Sequence, residues 1–178
     1  PDSPKGFQIS QFDEPISEKG WVDIELGERG ENLRVGVTRL HLEDDAGKLT
    51  HVRNGSLVDF NRAGTPLMEI VSEPDMHSAE EAGAYAKEVQ KIVRYVGSSD
   101  ADMEKGMMRF DASVSLRPVG EKKLYPRAEI KNLNSFRALE SAISYEIKRQ
   151  TELWDKGEVL EKAVTVGWND EKAQTYFM

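Results

Sequence analysis

Apolar and polar residues alternate through much of the chain, and the alternation predicts strands. Val22, Ile24 and Leu26 share one side of Trp21–Leu26. A turn rich in glycine and charge, Gly27 to Asn32, leads to a second strand, Leu33–Leu42, so the pair reads as a hairpin. Along it Leu33, Val35, Val37, Arg39, His41 and Glu43 share a face that passes from apolar to polar. Residues 7–12, FQISQF, suggest a shorter strand. Leu57–Pro74, LVDFNRAGTPLMEIVSEP, reads as strand, tight turn, strand, with Gly64 able to take positive φ and Pro66 fixing its own. In its outgoing half Glu69 lies between Leu67 and Val71 on one face. On that stretch alone Glu69 suits a solvated edge strand as well as a metal ligand or general base.

The period then changes. Ser78 and Glu81 form a capping-box signature, and Ala82, Tyr85, Val89, Ile92, Val93 and Val96 recur at helical spacing up to Gly97. Met107–Pro118 returns to alternation. Met108, Phe110, Ala112, Val114 and Leu116 fall on one face, and Arg109, Asp111, Ser113, Ser115 and Arg117 on the other. Arg127–Leu133 turns Ala128 and Ile130 inward and Glu129 and Lys131 outward. Asn134 or Ser135 then caps a helix carrying Phe136, Leu139, Ala142, Ile143 and Ile147, which runs to about Trp154 and stops at Gly157. Val159–Val166 is a further strand, and Thr175–Met178 is strand-like. The order predicts an α+β fold with helices on one side of a largely antiparallel or mixed sheet.

Composition narrows the chemistry. At 178 residues the chain suits one domain, or one and a half, and residues 1–178 are taken as a single domain. No apolar run approaches the roughly 20 residues that cross a bilayer. A net charge of −8 argues against binding nucleic acid by bulk charge, though not against a local basic strip. The absence of cysteine excludes disulfides and thiolate metal sites and suits a cytosolic protein. Three scattered histidines, His41, His51 and His77, argue against a zinc site, so any metal is expected to be oxygen-bound, which favours Mg²⁺. The chain opens on Pro1-Asp2-Ser3-Pro4 and stops within a strand pattern, which leads to the expectation of a fragment cut at both ends.

One segment stands out: Glu43-Asp44-Asp45-Ala46-Gly47-Lys48 is either a solvated acidic turn or a set of carboxylates for Mg²⁺ beside a lysine for phosphate. The polar strand faces repeat that theme. Glu43, Asp44 or Asp45, Glu69, Asp111 and Glu129 supply oxygens; Lys48, Arg62, Arg109, Arg117 and Lys131 supply cations. Converging carboxylates repel unless cations sit among them. On one common face such groups suit phosphoryl transfer, where the protein chiefly positions and neutralises. There is no Walker A sequence, kinase glycine loop or GxGxxG, and no Ser/His/Asp triad is apparent.

VDFNRAGTPLMEIVSEPD (58–75) resembles the signature of the B-subunit family of aspartyl/glutamyl-tRNA(Asn/Gln) amidotransferases. The resemblance continues through FQISQFDEPI (7–16), TRLHLEDDAGK (38–48), MRFDASVSLRP (108–118), EIKNLNSF (129–136) and YEIKRQ (145–150). It implies a catalytic "cradle" similar in fold to glutamine synthetase. It also implies ATP and Mg²⁺ as cofactors. The implied partners are an amidase (glutaminase), a small bridging subunit, and misacylated tRNA. The amidase frees ammonia from glutamine, and the family's B subunit phosphorylates the side-chain carboxylate of Glu or Asp misattached to tRNA(Gln) or tRNA(Asn). Ammonia then displaces phosphate. The implied setting is the bacterial cytoplasm or an organellar matrix, with no membrane association.

Matched by position, Glu43, Asp44 and Glu69 correspond to acidic residues at the family's Mg²⁺ site and the mouth of its ammonia channel. Arg109, Asp111, Lys131 and Asn132 line the cradle, and Lys48 and Arg62 serve phosphate or structure. This makes Glu69, Asp44 and Lys131 the candidate catalytic residues and Lys48, Arg62, Arg109, Asp111 and Asn132 the candidate nucleotide-binding ones. The candidate metal ligands are Glu43, Asp44 and Glu69. The chain departs from the family in three places. Asp44 stands where glutamate is usual, setting a ligand about 1.5 Å back. Phe110 replaces Cys, and Ser113 replaces Asn. The family's N-terminal strand, whose Glu and His also bind metal, and its C-terminal tRNA-gripping domains have no counterpart in these 178 residues. Two other readings stand beside this one: a non-catalytic scaffold for tRNA and partners, and the archaeal E subunit, which shares the cradle.

Overall fold

The computed structural model describes residues 1–27 and 30–178; Glu28 and Arg29, in the predicted Gly27–Asn32 turn, lie outside the described residues. The strands are β1 (Ser17–Leu26), β2 (Glu31–Asp44), β3 (Lys48–Val52), β4 (Gly55–Asp59), β5 (Pro66–Ser72), β6 (Phe110–Val114), β7 (Ala128–Leu133), β8 (Val164–Asn169) and β9 (Gln174–Phe177). The helices are α1 (Ala79–Tyr95) and α2 (Phe136–Asp155). The mixed α+β content agrees with the sequence reading. The chain forms two compact units, one of Pro1–Asp23 with Arg34–Asp75, the other of Ile24–Leu33 with Met76–Met178. The strands fall into three sheets, β1-β2-β5, β3-β4 and β6-β7-β8-β9, where the sequence suggested one.

In the first unit β5 runs antiparallel to β2 and joins it from Arg39–Val71 to Asp44–Pro66. The Leu57–Pro74 stretch does contain two strands and a tight turn, but the strands pair with different partners. β4 pairs with β3 through a two-residue connection, Arg53-Asn54, between Val52 and Gly55. The sequence reading passed over this hairpin. The 60–65 turn then carries the chain to β5. Gly64 sits at φ +78° and donates its N–H to Asp45 O at 2.8 Å, while Asp45 N–H reaches Thr65 O at 2.8 Å. Residues 7–12 are not a strand. They make one bridge, Ser10–Glu43, because the Gln11 side chain takes a ladder position, its Oε1 accepting from Leu42 N–H at 3.1 Å.

In the second unit β7, α2 and β8 form a parallel crossover, with β6 and β9 antiparallel at the flanks. α2 packs against β6, β7 and β9, and α1 packs on α2. The core includes Val114, Ile130, Leu133, Leu139, Ile143, Val166 and Trp168, all buried. Ser78 Oγ accepts from Glu81 N–H, and Ser135 Oγ from Ala138 N–H, each cap stabilising by about 1 kcal/mol. The predicted 107–118 strand is shorter, Phe110–Val114. Beyond it Gln150 on α2 takes over the strand's hydrogen bonds, donating to Val114 O at 3.0 Å and accepting from Leu116 N–H at 3.3 Å. The predicted 159–166 strand begins later, at Val164, because its ladder with β7 starts only at Ala128–Val164. Glu146, fully buried, is held by Arg149 at 2.6 Å and Gln150 at 2.9 Å.

Candidate metal and substrate site

Alternation puts Arg39, His41 and Glu43 on one face of β2, and the β2–β5 register sets His41 opposite Glu69 and Glu43 opposite Leu67. His41 Nε2 lies 3.0 Å from Glu69 Oε2 and 3.7 Å from Glu43 Oε2. One ligand atom from each of the three residues lies within 4.8 Å of the others. His41 is 1% exposed, and its Nδ1 is buried without a hydrogen-bond partner. Glu69 is half exposed, so the cluster opens to solvent on the carboxylate side.

The neighbouring acids go elsewhere. Asp44 points off this face and its Oδ2 meets Lys5 Nζ at 2.8 Å, so the structure does not bring it to Glu43 and Glu69. Asp45 Oδ2 accepts from Arg62 Nε at 3.0 Å, which braces the 60–65 turn against the end of β2. This contact suits Arg62 to scaffolding. Lys48 begins β3, opposite Asp59, and is exposed. His51 bonds Ser56 Oγ at 2.8 Å, and His77 precedes α1 beside Glu81.

The other candidates lie in the second unit, on the sheet of β6–β9. Lys131 Nζ is 3.2 Å from Asp111 Oδ2 and 3.9 Å from Glu129 Oε1. The β6–β7 register slips between Phe110–Leu133 and Ala112–Ile130, so Asp111 faces a bulge at Lys131-Asn132. Asn132 sits at φ +67° and donates from Nδ2 to the Tyr176 hydroxyl at 2.9 Å. Gly167 makes room for that contact, since a Cβ there would come within 2.3 Å of the Tyr176 ring. Arg109 is exposed just before β6. The polar groups read from the sequence as one face therefore fall on three sheets, Glu43 and Glu69 on β1-β2-β5, Lys48 on β3-β4, and Asp111, Glu129 and Lys131 on β6-β7-β8-β9, because each set of strands closes its own hydrogen-bond ladder.

The sequence profile of the GatB/GatE catalytic domain matches residues 1–178. The chain belongs to this family. Similar proteins include one from Campylobacter jejuni (strain RM1221), 59% identical over 157 residues, which are 88% of this chain and 33% of that protein. Another, from Listeria innocua, is 55% identical over 163 residues, 91% of this chain and 34% of that protein. Both bear the name of the B subunit of aspartyl/glutamyl-tRNA(Asn/Gln) amidotransferase. The chain spans about a third of the length of these relatives.

For this GatB/GatE catalytic domain, the fit to a small divalent cation can be tested on the donors themselves. Ligands of Mg²⁺ sit about 2.0–2.1 Å from the ion, which places adjacent donors about 2.9 Å apart. His41 Nε2 and Glu69 Oε2, 3.0 Å apart, are spaced like adjacent donors, Glu43 Oε2 stands wider at 3.7 Å, and among the described residues no Lys or Arg pairs with either carboxylate. The set fits such an ion. His41 is the donor that the sequence reading passed over, having weighed histidine only as a zinc ligand. Its signal was available: it shares a face with Glu43, two residues away in the same strand.

Proposed function

We propose that this domain is the transamidating centre of a tRNA-dependent amidotransferase. It takes ATP and misacylated Glu-tRNA(Gln) or Asp-tRNA(Asn), and works with an amidase (glutaminase) and a small bridging subunit in the cytoplasm or an organellar matrix. The side-chain carboxylate attacks the γ-phosphorus of ATP, ADP leaves, and an acyl phosphate forms. Ammonia released by the amidase then attacks the acyl carbon, and phosphate leaves with the C–O bond electrons. The observation that carries this reading is the His41–Glu43–Glu69 cluster, joined to the family membership. Glu43, Glu69 and His41 would hold Mg²⁺, which when bound supplies positive charge to phosphate oxygens.

The chain's own residues do the positioning. The Arg62–Asp45 contact and the 60–65 turn tie β5 to the end of β2, which keeps Glu69 in register with His41. Lys131, with Asp111 beside it, would bring a cation to anionic groups, and Asn132, which donates to Tyr176, adjoins it. No helix among the described residues is long and apolar enough to cross a membrane. The decisive experiment uses the full complex. Glu69→Gln should abolish amidation of Glu-tRNA(Gln) while glutaminase activity survives. Unchanged amidation would overturn the assignment.

A further inference from the structure

Among the described residues only three buried side-chain polar atoms lack a hydrogen-bond partner, and two of them are neighbours: Arg39 Nε and His41 Nδ1. Both residues lie on the same face of β2, two positions apart. Both are also covered by one ring. The Phe12 centroid is 4.2 Å from the Arg39 guanidinium carbon and 5.8 Å, edge-on, from the His41 ring. Buried donors are nearly always satisfied in native structures, and an orphan asks for a ligand, a water or an ion.

Arg39 has no hydrogen bond or ion pair with any described residue. Two carboxylates share its sheet face, yet Glu43 and Glu69 turn to His41 and neither pairs with it. Its contact with the Phe12 ring uses no hydrogen bond, and Nε has no partner. Arginine is suited to this task, because its planar fork meets phosphate or carboxylate oxygens in pairs. His41 supports it from two positions along the same strand face. Once Nε2 serves as a ligand, a neutral imidazole carries its N–H at Nδ1, where it has nothing to donate to.

We propose that Arg39, aided by the Nδ1 edge of His41 and covered by Phe12, binds an oxyanion, a phosphate or a carboxylate group, beside the His41–Glu43–Glu69 cluster. This rests on the function proposed above and adds an anion-binding residue that the Mg²⁺ and ATP assignments did not include. Phe12 stands on residues 9–11, which are tied to β2 by Gln11 N–H to Leu42 O at 2.9 Å and Asp44 N–H to Ile9 O at 3.0 Å. The ring therefore covers the guanidinium from a fixed base and is itself half exposed.

The test uses the full-length protein with three probes: Mn²⁺ alone, followed by electron paramagnetic resonance; inorganic pyrophosphate with Mn²⁺; and glutamic acid α-methyl ester with Mn²⁺, both by calorimetry. Arg39→Gln should weaken one of the two anions by about tenfold or more, the loss of one charge-assisted hydrogen bond, with Mn²⁺ binding not weakened. Arg39→Lys should restore part of that loss. Weakened pyrophosphate identifies a phosphate ligand; a weakened ester identifies the substrate carboxylate. Wild-type affinity for both anions in Arg39→Gln overturns the proposal. Should the variant fail to fold, the wild-type protein decides. Phenylglyoxal labelling of Arg39, mapped by mass spectrometry, should be blocked by one of the two anions with Mn²⁺, and labelling unaffected by either overturns the proposal. Failure of the wild type to bind Mn²⁺ would instead count against the underlying function.

Discussion

His41 and Glu69 face each other across the β2–β5 ladder, with Nε2 and Oε2 3.0 Å apart. One imidazole is wholly buried and one carboxylate is half exposed, so the pair joins a rigid base to an accessible tip. Glu43 completes the group from the same face as His41.

Alternation separates Glu43 from Asp44, and metal affinity should separate them too. Glu43→Gln should weaken Mn²⁺ binding by at least about tenfold, the lower end of what even outer-shell changes cost. Asp44→Asn should leave it nearly unchanged and lose only the exposed Lys5 ion pair, about 0.2–1 kcal/mol of stability. Titrating Mn²⁺ into both variants by paramagnetic resonance checks this. Equal losses would place Asp44 at the ion.

Gln150 should prove a structural pin between α2 and β6. Gln150→Leu strands Val114 O and Leu116 N–H and removes one partner of buried Glu146. The expected cost is about 1–3 kcal/mol, read from the urea midpoint at constant m.

Asn132 occupies left-handed backbone space at φ +67°. Asn132→Val should destabilise by about 1–2 kcal/mol, and Asn132→Gly should be better tolerated by the backbone while losing the Tyr176 contact. Comparing thermal unfolding of the two variants separates backbone strain from the lost hydrogen bond.

On the β1–β2 pair, Arg34 donates to Asp23 from Nε at 2.7 Å and from Nη2 at 3.0 Å, and its guanidinium stacks on Trp21 at 4.8 Å. These hydrogen bonds hold the Asp23 carboxyl below its ordinary pKa of 3.8, with desolvation opposing them in part and a smaller Coulomb attraction to Arg34 adding to them. A carboxyl lowered in the native state binds its proton more readily when unfolded. Its contribution to stability is therefore present above the ordinary carboxylate range and lost as pH falls through the lowered native value. In an NMR titration Arg34→Met should move the Asp23 midpoint upward, and an unmoved midpoint would show that Arg34 is not the cause.

Much of the secondary structure was legible because it rests on local rules. The capping serines Ser78 and Ser135 and the stops at Gly97 and Gly157 lie where the sequence pattern places them. Residues 7–12 and 115–118 misled because glutamine side chains, Gln11 and Gln150, occupy hydrogen-bonding positions that alternation assigns to strand backbone. The candidate site was legible in its acids at Glu43 and Glu69. His41 was legible as a face-mate of Glu43, but its meeting with Glu69 came only once β5 was laid against β2.

The sequence by itself determined the α+β content, the polar faces of the strands, and the resemblance through which Glu43 and Glu69 were singled out. Tertiary structure alone decided that His41 meets Glu69, that Asp44 turns to Lys5, and that β4 pairs with β3 while β5 pairs with β2. It also decided that Asp111 and Lys131 belong to a different sheet from Glu69. The physical reason is range. Alternation and capping act between residues a few positions apart, whereas ladder partners and register depend on segments far along the chain, and many pairings compete for the same strand.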